Sequence, residues 1–338
     1  MLDPVAVSAW AETHIAGFDG PLAATKYAGG QSNPTYRLQS PSGSYVLRRK
    51  PPGVLLRSAH AVEREFRVQQ ALADTDVPVA RMLALCEDDS IVGSAFYVMS
   101  EVAGVNFDDP RLPDLAPDQR DRVIDAMCRT LAAIHAVDLR ATGLADYGAP
   151  ANYISRQIAR WTEQYRATQT EDIAEMEALM AWLPGHIPDR DQQRSLVHGD
   201  YRLDNLLFDR SSLRCKAVLD WELSTIGHPY ADLASVIMQW SMPTGPDGRG
   251  LAGVDRAALG LWSDQRFIDT YCQHRGLPGI AQFGFYLAFC HFRMAAILQG
   301  VKKRSLDGNA SDPSRGLRLG AHVPAFARAG LSCTTIRR

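Results

Sequence analysis

The chain has 338 residues, 46% hydrophobic and 22% charged, with a formal net charge of −2. That length accommodates two lobes with buried cores, and the near-neutral balance excludes the global basic field of a nucleic-acid or anionic-membrane binder. Cysteines at 86, 128, 215, 272, 290 and 333 form neither a CxxC pair nor a zinc-spaced Cys/His cluster, and read as neutral thiols of a reducing compartment.

Residues 4–16 have helical spacing, with Val7, Trp10 and Ile15 as anchors, and lack the basic start and apolar core of a signal peptide. Strand-like runs follow: LAATKYAG, TYRLQS and, after a Pro-Ser-Gly turn, SYVLRRK. Gly43 marks that turn as a hairpin. Residues 60–74 give a helical face of Val62, Phe66 and Leu72, and RMLALCE and SAFYVMSEV are further strand candidates. From about residue 104 the balance shifts to helix. Residues 120–137 put Val123, Met127, Leu131 and Ile134 on one face, and helical readings fit 152–166, 171–183, 230–241, 262–275 and 281–304. The only strand-like runs in this half are 195–198, 205–208 and 214–220. FGFYLAFCHF (283–292) is too short to span a bilayer and runs into His291 and Arg293, so a cytoplasmic protein is expected. The expected fold class is α+β. A small N-lobe over 1–103, with an antiparallel sheet and one main helix, precedes a larger, mostly helical C-lobe over 104–338.

LVHGDYRLDNLLF (196–208) sets His198, Asp200, Arg202 and Asn205 among apolar, strand-like flanks, and VLDWE brings Asp220 twenty residues after Asp200. One reading is a polar turn between two strands. The other is phosphoryl transfer to a hydroxyl, which is mostly positioning and charge neutralisation. Asp200 fits the carboxylate that accepts the hydroxyl hydrogen bond, and Asn205 and Asp220 supply hard oxygen ligands for Mg²⁺. Arg202 is placed to neutralise the transferring group, and His198 to brace the loop.

HGDYRLDN and LDWE resemble the catalytic and metal motifs of the aminoglycoside phosphotransferase family, whose fold is protein-kinase-like and bilobal. The resemblance implies ATP and Mg²⁺ as cofactors, an N-lobe that binds the nucleotide, and a C-lobe that carries the catalytic loop and acceptor helices. YVLR (45–48) puts Arg48 where that fold has a strand lysine, with Lys50 as the competing cation. Glu65 falls where the helix glutamate belongs, with Glu63 as the alternative, and YVMSEVAG (97–104) resembles the adenine hinge, with Glu101 and Val102 bonding through backbone groups. AGGQSNPTY (28–36) replaces a GxGxxG loop; Gly29, Gly30 and Ser32 are its candidate phosphate caps, and Pro34 removes one donor. GHPYADLA (227–234) matches a further family segment, which implies that Asp232 bonds backbone near the catalytic loop.

VLRRKPPG, SAHAVEREFRV, NYISRQIARW and DWELSTIGHPYADLA together resemble the kinase-like domain fused to acyl-CoA dehydrogenases and its stand-alone bacterial relatives. That subgroup implies a hydroxyacyl-CoA as the small-molecule acceptor; from the near-neutral charge no nucleic-acid or membrane partner is expected. Arg156 and Arg160, one helical turn apart, and then Arg166, suit an anionic acceptor, and Glu222 is grouped with them as an acceptor-side candidate. The acidic run Glu171, Asp172, Glu175 and Glu177 argues the other way. An aminoglycoside, sugar or amino-alcohol kinase is the alternative, and a nucleotide-binding pseudokinase or scaffold, supported only by arginine at position 48, is the alternative of another class.

Overall fold

The computed structural model describes residues 2–27, 33–51, 61–149, 151–188, 193–245, 247–310 and 312–336. Its two compact units do not follow the chain linearly. One holds Met1–Asn106, Arg140–Leu144 and Asn205–Ser224; the other holds Phe107–Leu139, Ala145–Asp204 and Thr225–Arg338.

The first unit opens with α1 (Pro4–His14), whose N-terminal amides at Val5 and Ala6 are capped by the Asp3 carboxylate. Then come β1 (Ala23–Lys26), β2 (Thr35–Ser40), β3 (Gly43–Arg49), α2 (Val62–Ala71), β4 (Met82–Cys86), the single turn α3 (Asp89–Val92) and β5 (Phe96–Ser100). The strands make one antiparallel sheet in the order β1-β2-β3-β5-β4. Strand alternation sorts their side chains to two faces. Leu47, Phe96 and Val98 share a core with Val7, Trp10 and Ile15 of the α1 region, and the Trp10 and Phe96 rings meet edge-on at 4.7 Å. Tyr97 and Met99 face the other way, onto Val62 and Phe66 of α2. Arg48 is the register partner of Tyr97, so it emerges on the α2 face.

The buried face of α2 is not the purely apolar stripe its spacing suggests. Val62, Val68 and Leu72 are buried, Phe66 is only partly so, and Glu65 and Gln69 take places on the inside. An acidic side chain turned inward on a core-packed helix needs a partner there.

Beyond Asn106, α4 (Pro117–Ala136), α5 (Tyr153–Thr168), α6 (Ala174–Trp182) and β6 (Ser195–Val197) belong to the second unit. The hairpin of β7 (Leu206–Phe208) and β8 (Cys215–Val218) rejoins the first. There Val218 N donates to Pro78 O at 2.9 Å, and Val105 and Phe208 exchange two backbone bonds of 2.8 Å. Gly104 allows that approach, since a Cβ would lie 2.9 Å from the Phe208 carbonyl oxygen. Residues 205–224, which lie inside the C-lobe range of 104–338 expected from sequence, therefore pack within the first unit.

The chain returns to the second unit through β9 (Thr225–Gly227), α7 (Pro229–Trp240), α8 (Asp264–Arg275), α9 (Phe283–Leu306), α10 (Pro313–Gly320) and α11 (Val323–Cys333). β9 is a strand that sequence pattern does not reveal. It has only three residues and ends in glycine, leaving no alternation to read. It pairs with β6, where a Cβ on Gly227 would lie 2.7 Å from Val197 Cγ2. α4 buries Val123, Met127, Leu131 and Ile134 as its spacing requires, and α9 packs against α5, α7, α10 and α11. Among the described residues no helix is long and apolar enough to cross a membrane, and none of the cysteines forms a disulfide.

Candidate active site

In the first unit, a cavity of about 460 Å³ opens beside the strand–helix pair just described, with Val46, Met99, Leu207 and Leu219 among its apolar walls. Arg48 projects into it from β3 and organises the polar end. Its Nε lies 2.9 Å from Glu65 Oε2, and its Nη2 lies 2.6 Å from Asp220 Oδ1 and 3.5 Å from Glu222 Oε2. Lys50 pairs instead with Glu63 at 2.8 Å, in a more exposed setting. Geometry thus separates the two strand cations and the two helix glutamates into an inner pair and an outer pair. Glu222, grouped by sequence with the acceptor residues, lies beside Arg48.

Beside its ion pair with Arg48, Glu65 accepts hydrogen bonds from Asn33 Nδ2 at 2.8 Å and from the Tyr97 hydroxyl at 3.1 Å. Burial pushes the Glu65 carboxyl up to about 7, against the pull of Arg48. Burial alone would lower Arg48, but Glu65, then Tyr97, Asp220 and Glu222, hold its guanidinium above its ordinary value and so charged. Neither Asn33 nor Tyr97 is conspicuous in sequence; cross-strand register and the approach of α2 bring them in.

Asn205 and Asp220 line the same cavity from the two ends of the β7–β8 hairpin. The Asn205 carbonyl accepts from Leu219 N at 2.8 Å. Asp220 adopts a left-handed backbone (φ 62°), a conformation that aspartate tolerates better than most residues, and leads a short 3-10 turn. Buried Trp221 pins that turn by donating from Nε1 to Val218 O at 3.0 Å. An amide oxygen and a carboxylate in one polar corner suit a hard divalent cation that takes its remaining oxygens from phosphate and water. Among the described residues no group of three or more His, Cys, Asp or Glu forms a self-sufficient metal cage.

The hinge-like segment also lines the cavity, through Glu101 and Val102. The Glu101 carboxylate turns to Arg37, at 2.8 Å, and to the Tyr27 hydroxyl, at 3.3 Å, while its N–H donates to Ser44 O. Gly29, Gly30 and Ser32, the candidate phosphate caps, lie outside the described residues.

In the second unit, the strand β6 runs into the His198–Asp200 turn, and Asp232 on the first turn of α7 holds that turn. Asp232 accepts from His198 N at 2.6 Å and from Gly199 N at 3.1 Å, the backbone bonding expected of it from sequence. Burial alone would raise its carboxyl, but His135 and His198 hold it below its ordinary value. His135 Nε2 is 3.6 Å away, and its Nδ1 bonds the Tyr271 hydroxyl at 2.8 Å. His198 is fully buried and its Nδ1 accepts from Asp200 N at 3.3 Å, while the Tyr201 hydroxyl anchors the turn to Met127 O of α4 at 2.7 Å. Asp200 itself stays partly exposed, with Arg202 Nε 4.0 Å from its Oδ1. Arg202 is gripped by Asp204, a residue that sequence reasoning passed over.

Arg156 and Arg160 stand exposed on α5, and Arg160 packs over the Trp161 ring. The third arginine, Arg166, pairs with Glu177 of the acidic run, and Glu171 of that run pairs with Lys302. Lys303 pairs with Asp307.

Comparison with known proteins agrees with this geometry. The family model described as "Phosphotransferase enzyme family" matches residues 23–276. The chain is 48% identical over 86% of its length to mouse acyl-CoA dehydrogenase family member 10, and 41% identical over 91% to human family member 11. It spans only 27% and 40% of those longer proteins. A solved structure described as a putative aminoglycoside phosphotransferase from Ralstonia eutropha superposes with a TM-score of 0.92 at 47% identity, covering all of both chains. Aminoglycoside phosphotransferase APH(4)-Ia, in a ternary complex with ADP and hygromycin B, shares the fold at 17% identity (TM-score 0.62, covering 97% of this chain and 98% of that one). With a family model covering most of its length, the chain belongs to the phosphotransferase enzyme family and has the kinase-like fold of the aminoglycoside phosphotransferases.

Proposed function

We propose that the chain transfers the γ-phosphate of ATP, with Mg²⁺, to a hydroxyl of a small anionic acceptor, a hydroxyacyl-CoA being the best fit. The observation that carries the phosphotransferase reading is the cavity, lined also by Asn205, in which Arg48 pairs with Glu65 and Asp220. In this reading Arg48 holds the nucleotide phosphates, and the backbone at Glu101–Val102 takes the base. Asn205 and Asp220 would hold Mg²⁺, which would supply positive charge against the nucleotide phosphates. Asp200 accepts the acceptor's hydroxyl proton as its oxygen bonds to the γ-phosphorus and the bond to ADP breaks. Arg202 steadies the charge on the transferring group. Gly30 and Ser32 remain candidate phosphate caps.

Support for an acyl-CoA acceptor comes from the names of the relatives that share this segment and from the exposed arginines Arg156 and Arg160. Support for an aminoglycoside comes from the solved structures, one of them holding hygromycin B. The two differ in charge, which makes them separable. The experiment is Mg-ATP turnover across hydroxyacyl-CoAs, sugars and aminoglycosides, with Asp200→Asn as control. Phosphorylation of a hydroxyacyl-CoA by the wild type alone is expected. Turnover of aminoglycosides only would overturn the acceptor, full activity of Asp200→Asn would overturn the base, and nucleotide binding without transfer to any acceptor would favour a scaffold.

A further inference from the structure

Asp204 grips Arg202 at two points, with Arg202 Nε 2.9 Å from Oδ1 and Nη2 on Oδ2. The same Oδ2 also takes Nη1 of Arg249. One carboxylate, only 11% exposed, is therefore shared between two guanidiniums. Arg249 comes from the loop after α7, where it adopts a left-handed backbone with φ 52°. That loop is shaped by its own backbone: Arg249 N donates to Gly245 O at 2.8 Å, Gly250 N to Pro243 O at 2.9 Å and Ala252 N to Met242 O at 3.0 Å. A Cβ on Gly250 would lie 2.0 Å from Met242 O, so the turn is built around glycine. Asp247 ties the loop to α10 through Arg315, at 3.2 Å, and Arg318, at 3.3 Å. The loop is thus fixed without the Arg249 side chain, and what that side chain adds is a second cation on Asp204.

We propose that Arg249 is a positioning residue which, by sharing Asp204, loosens that carboxylate's hold on Arg202 and keeps the Arg202 charge available to the transferring phosphoryl group. The inference rests on the reading that Asp200 and Arg202 act on that group. A carboxylate with one guanidinium forms a tight two-point pair whose charges cancel. A second guanidinium on the same oxygen divides the attraction and repels the first. Without Arg249 that competition is gone, Asp204 holds Arg202 more tightly, and less of the cation beside Asp200 acts on the transition state.

The test compares two bound states that need no acceptor: AMP-PNP with Mg²⁺, which resembles the ground state, and ADP with aluminium fluoride and Mg²⁺, which mimics the transferring phosphoryl group. Arg249→Ala is expected to weaken the fluoride complex about tenfold or more, to leave AMP-PNP affinity and thermal midpoint unchanged, and to slow ATP turnover in proportion. Arg249→Lys should recover most of the loss. An unchanged fluoride complex would overturn the proposal. So would a parallel loss of AMP-PNP affinity and thermal stability, which signifies scaffolding, or a failure of lysine to rescue. Arg202→Ala separates this from the parent reading: if it too spares the fluoride complex, Arg202 does not act on the phosphoryl group at all.

Discussion

Replacing Arg48 by methionine keeps most of the side-chain volume while removing the cation that Glu65, Asp220 and Glu222 share. Glu65, 1% exposed, would keep Asn33 and Tyr97 as donors but lose its only ion pair among the described residues. Breaking a buried pair by removing one partner costs about 3–5 kcal/mol, and a carboxyl that can take a proton falls at the low end of that range, about 3 kcal/mol. The sign with pH follows from burial, which lifts the folded Glu65 to about 7 from an ordinary value near 4.5. A raised folded value favours the folded state at low pH and takes that stability away as pH climbs towards the folded value. In the wild type this loss ends near pH 7, where folded Glu65 ionises beside Arg48. In Arg48→Met the folded value rises further, so the loss continues. The stability gap between the two proteins should be flat below about pH 7 and then widen by up to about 1.4 kcal/mol per pH unit. Urea denaturation between about pH 6 and pH 9 reads this directly. A gap that stays constant through alkaline pH would refute the claim that Arg48 is what lets Glu65 ionise in the folded protein.

Asp220→Ala should abolish the Mg²⁺ dependence of AMP-PNP affinity while the fold survives; titration calorimetry with and without the metal checks it, and an unchanged dependence would remove Asp220 as ligand. Asp232→Ala strips the acceptor from the His198 and Gly199 amides, and should cost about 2–4 kcal/mol in denaturant midpoint analysis; a loss below about 0.5 kcal/mol would mean the turn holds itself. Burial pushes His228 down to about 3 and His291 down to about 4, so as pH falls below about 6.5 protons enter the unfolded chain first. Each should cost about 2 kcal/mol of stability between about pH 6.5 and pH 5, and His291→Gln should flatten the slope by its share; an unaltered slope would show that His291 protonates freely in place.

What sequence could reveal depended on whether a residue's role is set by its own neighbours in the chain. His198, Asp200 and Asn205 lie within one loop and Asp220 ends the hairpin that follows, so fixed offsets carry the pattern. The amphipathic α4 was legible for the same reason: its periodicity is local. Asn33 and Tyr97 were not, because each meets Glu65 only through the strand register and the way α2 lies on the sheet. Asp204 sat inside the HGDYRLDN motif without drawing a reading of its own, because its contact with the distant Arg249 comes from the fold. The charged runs on α5 and α6 failed differently, since their net effect depends on which charges find one another. Arg166 on Glu177 and Lys302 on Glu171 cancel part of what separate tallies of basic and acidic residues suggested. Acceptor charge is therefore better argued from Arg156 and Arg160, which make no ion pair among the described residues, than from the number of arginines on the helix. A fold built from local pattern can be read early; a site that works by sharing charge has to be seen in three dimensions before its sign is known.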